Sequence, residues 1–478
     1  MENKSFNGDY NGNVKLLSEF LRVDSSFDLI TRRITFAGRN ASVFYVDGLC
    51  KDEVVEKISW VLLNAKPETL GTNNVGDFMR TLVTFAENFT VTQVAQAARA
   101  VLSGSVVLVV QGLEQVIVID VRLAPARSVD EPQSDRVLRG PHDGFVESLM
   151  VNCALIRRRI RDTRLTMEQY IVGRESKSDV VLCYMQGKVN AKALKNLRKK
   201  LESIDVEALT MSQQSLMECL QPKQAFNPFP KARYSERPDC AAAAIQEGSI
   251  IILCENSPVS IVVPTGVFDF LQDTNDYYLS PFVGSYLRTV RLIVILLTVL
   301  LTPVWFWLVS NPEIIPDWLS FIKIEKPNTV PVFAQLLIVE LVIDALKLAS
   351  INTPSALSGS FSIVGALVLG EFAVQSGWFV SEVVLYMAFV AITDFAQPSV
   401  EFGYSLKLIR LLMLVLTRLL SFWGLLAGLA VAAVTVASTK TLAGTSYLYP
   451  LIPFNAKALS NLLIRKPIKV NIKKESRP

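Results

Sequence analysis

The sequence is poor in the residues that usually carry chemistry. Of its 478 residues one is a histidine, His142, and six are cysteines with no CxxC pair among them. A single histidine excludes His-based zinc sites of the HExxH kind and leaves one partner for any Ser-His or Cys-His pair. GxGxxG, Walker and GxSxG patterns are missing as well. The pattern predicts no catalytic residues, no metal site and no cofactor, and so no enzyme. Charge is sparse too, 19% of residues against about 25% in ordinary soluble chains. The net charge is only +4, and no basic stripe interleaved with aromatics appears, which argues against nucleic acid as a partner. Cys50, Cys153, Cys183, Cys219, Cys240 and Cys254 are scattered through the first 280 or so residues and read as reduced, buried thiols of a cytosolic compartment. Met1 to Val14 is polar, without the apolar core of a signal peptide. The expectation is that the N-terminal half stays in the cytosol.

What the chain does have is apolar surface. Mean hydropathy is +0.35, and the excess lies after about residue 289. Before that point two stretches repeat the same order of parts. Val43 to Gly48 is an apolar strand ending at a turn glycine, followed by a helical stripe of Val54, Val55, Ile58, Val61 and Leu62. Val181 to Gly187 and Ala191 to Leu201 repeat that order, with Tyr45 and Gly48 matching Tyr184 and Gly187. Each copy then reaches a hairpin, Val106–Val110 with Val116–Ile119 and Ile250–Leu253 with Val259–Val263. Continuous β-branched runs predict strands covered on both faces. The fold class is therefore α/β plus an α-helical membrane part: duplicated cytosolic α/β subdomains followed by a multi-span transmembrane helical domain.

The predicted boundaries are a polar arm (1–27), α/β subdomain 1 (28–128), a charged linker and helix (129–178), subdomain 2 (179–285), the transmembrane domain (286–440) and a basic tail (441–478). In the linker, Asp130 to Phe145 crowds charges of both signs among Pro and Gly, and a helix with Arg157, Arg158, Arg159 and Arg161 follows. By residue type alone this is a solvated linker with a charged helix face.

In the apolar half, Leu292 to Pro312 carries no charge and is long enough to span a bilayer core of about 20 residues. Trp305, Phe306 and Trp307 suit its far interface. Pro331 to Ser350 is apolar apart from Glu340, Asp344 and Lys347, whose spacings of four and three put them on one helical stripe. Each such charge at mid-bilayer costs roughly 2.5–3.5 kcal/mol, so the stripe is expected to face water or partners. Ile363 to Gly370 and Val383 to Thr393 are short apolar stretches followed by Glu371 and Asp394. Glu340, Asp344, Lys347, Glu371 and Asp394 are the candidates for lining an ion path, and because carboxylates outnumber the lysine a ring of stripes would favour cations. Leu408 to Ser438 reads as one helix of roughly 45 Å, its first turns projecting into the cytosol. Charge counting leaves four or five crossings open, and with them the side of the C-terminal tail.

The linker EPQSDRVLRGPHDGF, the later Ser235-Glu236-Arg237-Pro238-Asp239, the run Ile363 to Val368, and Phe268 to Tyr278 ahead of the first span resemble the A subunits of the GerA spore germination family over nearly the whole chain. Within that family, Trp378 to Gln397 is unlike the nutrient-receptor A subunits and points to a paralogue. The resemblance implies a multi-pass protein of the spore inner membrane acting in germination. It implies a homo-pentamer that conducts ions, with the lipid bilayer, other copies of itself and other germination membrane proteins as partners. The alternative is a non-conducting scaffold that organises germination proteins through its cytosolic domain. Glu131, Pro132, Arg136, Arg139, Gly140, Pro141, Gly144, Phe145, Arg237, Pro238 and Asp239 are the family-motif residues, expected at an interface.

Overall fold

The computed structural model describes residues 4–65, 75–82, 86–123, 137, 139–221, 227–325, 329–352 and 373–466. In the N-terminal half, α1 (Tyr10–Leu21) precedes β1 (Leu29–Phe36) and β2 (Arg39–Val46), then α2 (Asp52–Leu63), α3 (Val75–Leu82), β3 (Asn88–Val91), α4 (Val94–Leu102), β4 (Val106–Val110) and β5 (Val116–Ile119). A second round follows: α5 (Leu149–Arg159), β6 (Leu165–Val172), β7 (Ser178–Met185), α6 (Ala191–Glu202), α7 (Ser212–Leu220), β8 (Arg233–Ser235), α8 (Pro238–Gln246), β9 (Ile250–Cys254) and β10 (Ser260–Val263).

Each round makes a five-stranded antiparallel sheet, ordered β1-β2-β4-β5-β3 in one and β6-β7-β9-β10-β8 in the other. The orders are the same once the strands are renumbered, so the internal repeat is a repeat of topology. The β-branched runs explain why both faces are covered. In the first sheet Phe44, Val107 and Val109 pack on one layer, while Val43, Leu108 and Ile117 pack on the other.

The structure moves one boundary. β6 pairs along its whole length with β7, from Leu165–Met185 to Val172–Ser178, so the second subdomain starts before residue 179. The preceding helix α5 is no solvated face at its centre. Arg157 is fully buried and grips Asp28 through Nε–Oδ2 at 2.7 Å and Nη2–Oδ1 at 2.9 Å. It also donates to the Leu165 carbonyl at 3.2 Å. Together with Met167 N donating to Ser26 Oγ at 3.0 Å, this pair ties the two subdomains.

After α9 (Asn275–Tyr278) the chain enters the helical half: α10 (Pro281–Ser310), α11 (Val332–Asn352), α12 (Ser381–Phe395), α13 (Val400–Leu420), α14 (Phe422–Ser438) and α15 (Ala456–Leu463). Leu408 to Ser438 is two helices rather than one. The chain breaks at Ser421, whose φ is +49°, and folds back, because glycines on α14 let the pair close. A Cβ on Gly424 would strike the Leu416 carbonyl oxygen, and one on Gly428 would meet Met413 Cγ at 2.5 Å. Among the described residues α10 alone combines the length and apolar composition of a bilayer-crossing helix, and α14, at 17 residues, is a shorter apolar one.

Contacts orient these helices. Near the N-terminal half, Arg291, about three turns into α10, donates to the Leu271 carbonyl at 2.6 Å. At the start of α13, Ser405 Oγ donates to the Pro228 carbonyl at 2.5 Å, and Phe402 stacks on Phe270 at 5.2 Å. At the opposite end Phe422, opening α14, meets Trp307 near the end of α10 at 5.2 Å. Trp305 is not an interfacial anchor: it is buried, donating to the Ile322 carbonyl at 3.1 Å and packing on Tyr386 at 4.6 Å. α14 then returns, and Thr439 just beyond it accepts from Asn227 at 2.6 Å. Residues 441–466, expected as the start of a basic tail, are packed chain. Leu442 sits in the core of the second subdomain, and buried Tyr447 donates to the Pro230 carbonyl at 2.8 Å. The N-terminal half and this C-terminal segment thus lie at one end of the helical layer.

Candidate functional site

Ionisable groups inside the apolar layer form one cluster. On α11, Glu340 is 5% exposed. Its Oε1 lies 2.8 Å from Arg410 Nη2 and 2.9 Å from Lys407 Nζ, both on α13. Lys407 also pairs with Asp344. At the end of α12, Asp394 stands 3.6 Å from Arg410 and 3.4 Å from Lys347. Arg410 Nη1 further donates to the Thr298 carbonyl of α10 at 3.0 Å. Four helices therefore meet at Arg410, which is 1% exposed.

The helical spacing of Glu340, Asp344 and Lys347 put them on one face, and the structure brings that face to Asp394. It also adds two bases, Lys407 and Arg410. Three carboxylates and three cations now balance, so the acidic excess counted on α11 alone is cancelled by α13. Lys347 pairs with Asp394 and not with its helical neighbour Asp344. The cluster is sealed on one side and open on the other, since Asp344 keeps 31% of its side chain exposed and Lys347 18%. Among the described residues, Lys407 Nζ, Asp344 Oδ1 and Asp394 Oδ1 are ion-paired without a well-aligned hydrogen bond. Glu371 lies outside the described residues.

A second constellation gathers motif residues from three places in the sequence. Arg237 is 1% exposed and sits just before α8, where Pro238 opens the helix. Its Nη2 donates to Asp239 Oδ2 at 2.8 Å and to the Pro141 carbonyl at 3.0 Å. Tyr278 of α9 donates to the same Asp239 oxygen at 2.5 Å, and the Arg237 guanidinium lies 6.0 Å from the Tyr278 ring centre. Gly140 has φ +121°, and a Cβ there would strike the Tyr278 ring at 2.6 Å. Phe145 N donates to the Glu236 carbonyl at 2.8 Å, and Phe145 itself is buried in the core beside α5 and β7. Gly144 is buried beside it, and Arg139 is exposed. Glu131, Pro132 and Arg136 lie outside the described residues.

Burial alone would raise the Asp239 carboxyl, but the hydrogen bonds from Arg237 and Tyr278 outweigh it and hold the group below its ordinary value. Burial and the Asp239 contact push the Tyr278 hydroxyl up to about 12. The hub ties the linker to α9, two residues ahead of α10.

Comparison with known proteins places the chain among relatives. Residues 16–477 match the family described as Bacillus/Clostridium GerA spore germination protein. The chain belongs to the GerA family. It is 37% identical over 441 residues to Stage V sporulation protein AF of Bacillus subtilis (strain 168), covering 92% of this chain and 89% of that one. It is 30% identical to Spore germination protein KA of the same organism, over 76% of this chain and 67% of that protein. Uncharacterized membrane protein YfkQ, also from that organism, is 24% identical over 94% of this chain and 87% of its own length. Among solved structures, the N-terminal domain of the A subunit of the Bacillus megaterium spore germinant receptor GerK3 aligns with a TM-score of 0.43 and 23% identity. That alignment covers 55% of this chain and 98% of the domain.

Sequence reasoning missed Lys407, Arg410 and Arg157 as site residues. A signal existed for the first two: bases three apart in an apolar run demand acidic partners as much as the α11 acids demand basic ones. Arg157 was masked by its basic neighbours.

Proposed function

We propose that this GerA-family chain is a multi-pass subunit of the spore inner membrane that acts in germination, assembling as a homo-oligomer, a pentamer by the family resemblance, and passing monovalent cations. The observation that carries this reading is the charged cluster inside the apolar helical layer. Charges are costly in hydrocarbon unless paired or wetted. Here Asp344 and Lys347 stay partly exposed at the edge of the cluster. That is the feature of a face that meets water or a neighbouring protomer. With the N-terminal half in the cytosol, the hub at Arg237 is the route by which partners would act on α10.

The second reading, a scaffold that does not conduct, is favoured by the charge balance of the cluster, which pairs its three acids with three bases inside one chain. Flux separates the two. In proteoliposomes the wild-type chain passes monovalent cations, and Asp344→Asn changes that flux several-fold while leaving the oligomer intact. A wild-type chain that passes no ions supports the scaffold, and unchanged flux in Asp344→Asn removes the cluster from the path.

A further inference from the structure

At the junction of the two halves lies a cavity of about 360 Å³, between the chain around Asp269 and Tyr277, the start of α10, and the segment from Thr441 to Lys466. Four of its lining residues are cationic, Arg288, Lys457, Arg465 and Lys466, against two acidic ones, Glu247 and Asp269. Asp269 is already engaged, accepting from Gly266 N at 2.9 Å. Arg288 is 4% exposed. Its Nε reaches Asp276 at 3.3 Å, and its Nη1 donates to the Asn461 and Leu462 carbonyls at 3.1 and 2.9 Å. Its Nη2, also buried, has no hydrogen-bond partner among the described residues. Asp276 cannot balance the charge alone, because it also serves Arg291 at 2.9 Å. The Arg288 and Arg465 guanidinium groups stand 5.2 and 5.9 Å from the ring centre of Tyr277.

A buried guanidinium N–H without an acceptor is costly, and a cluster of cations around a cavity attracts an anion with several acceptor oxygens. We propose that this cavity binds a phosphate group, held by Arg288 from within and by Lys457 and Lys466 at the rim, with Arg465 adding its charge while its Nη groups donate to the Leu279 and Tyr277 carbonyls. Arg288, the α10 residue that lines the cavity, stands four residues before the uncharged run opens at Leu292. Phosphates are found at that level if α10 spans a bilayer, so the group can come from an anionic lipid head or from free phosphate. Bound there, it would pin the C-terminal segment to the base of α10.

The test uses the full chain in neutral detergent. Binding is measured for dihexanoyl phosphatidylglycerol, for inorganic phosphate and for dihexanoyl phosphatidylcholine. Saturable binding of phosphatidylglycerol or phosphate, stronger than that of phosphatidylcholine, is expected. It should weaken roughly tenfold or more in the Lys457→Gln/Lys466→Gln double variant and persist in Lys192→Gln/Lys195→Gln on α6. Binding of phosphatidylglycerol without phosphate assigns the lipid head as the source, and binding of both assigns the anion alone. Either supports the site. Binding of neither, no preference over phosphatidylcholine, or undiminished binding in the Lys457/Lys466 variant overturns it. Lys457 is exposed and Lys466 half-buried, and an unchanged melting midpoint of the double variant separates loss of binding from loss of folding.

Discussion

Arg157 and Asp28 share two hydrogen bonds in a place with no access to solvent, and that makes each residue dangerous without the other. Removing one partner of a buried pair leaves an uncompensated charge and costs about 3–5 kcal/mol. Arg157→Met should lower the unfolding stability of the detergent-solubilised chain by about that amount. The double change Arg157→Met/Asp28→Asn should recover a substantial part of it, as a double-mutant cycle on denaturation midpoints would show. Asp239 behaves differently because its partners lower its pKa. A carboxyl depressed in the folded state contributes stability above its ordinary value near 4, and loses that contribution as pH falls through the depressed one. Thermal melts against pH should therefore show the penalty of Asp239→Asn in full near neutral pH and shrinking as the solution is acidified below about pH 4. A penalty that does not change with pH would contradict the assigned pairing. The thiols supply a third check. Burial pushes Cys50 and Cys254 up to about 12, and Cys153 is raised by its contact with Cys183 and by burial. Cys219 is the exposed one, and alkylation of the native chain near neutral pH should modify it first, as peptide mass mapping would report.

At the scale of elements, legibility followed how strongly burial constrained the side chains. β4, β5 and β9 are apolar at every position and were plain in the sequence, because both of their faces are covered. β1 and β6 were missed. Each is an edge strand, and Arg32 and Arg33 in the first, Glu168 and Gln169 in the second, interrupt the apolar pattern. Their partners lie within a hairpin turn in sequence, but nothing local marks them as strands. The α13–α14 hairpin was missed for another reason. Its turn rests on Ser421 at a positive φ and on glycines at 424 and 428, a small-residue spacing that permits close helix approach. That reading predicts an asymmetric response to added methyl groups. Gly424→Val and Gly428→Val should each cost about 1–3 kcal/mol through overpacking, seen as lowered melting midpoints. Ala433→Val, on an exposed position of the same helix, should be near neutral.

At the scale of the whole molecule, the duplication and the ionic stripe were readable, and the closure of the stripe was not. Spacing along α11 shows that three charges share a face, but it carries no information on Lys407 and Arg410, which approach from a helix about seventy residues on. The same long-range packing decides the course of the chain. Counting charges left the C-terminal segment on either side, whereas Asn227, Pro230 and the second subdomain core hold it against the N-terminal half. If the helical layer spans a membrane, the N-terminal half and residues 441–466 share one face, and the loop around Ser320 lies on the other. The proposed ion path, the proposed coupling through Arg237 and the proposed phosphate site all depend on that arrangement.

Labelling by a membrane-impermeant thiol reagent tests it most directly. In chains freed of native cysteines and inserted in sealed vesicles, Ser320→Cys and Leu463→Cys are compared with a reporter cysteine restored at 219. The account predicts that 463 labels with 219 and that 320 labels only from the opposite face. Labelling of 320 and 463 from the same face would contradict it.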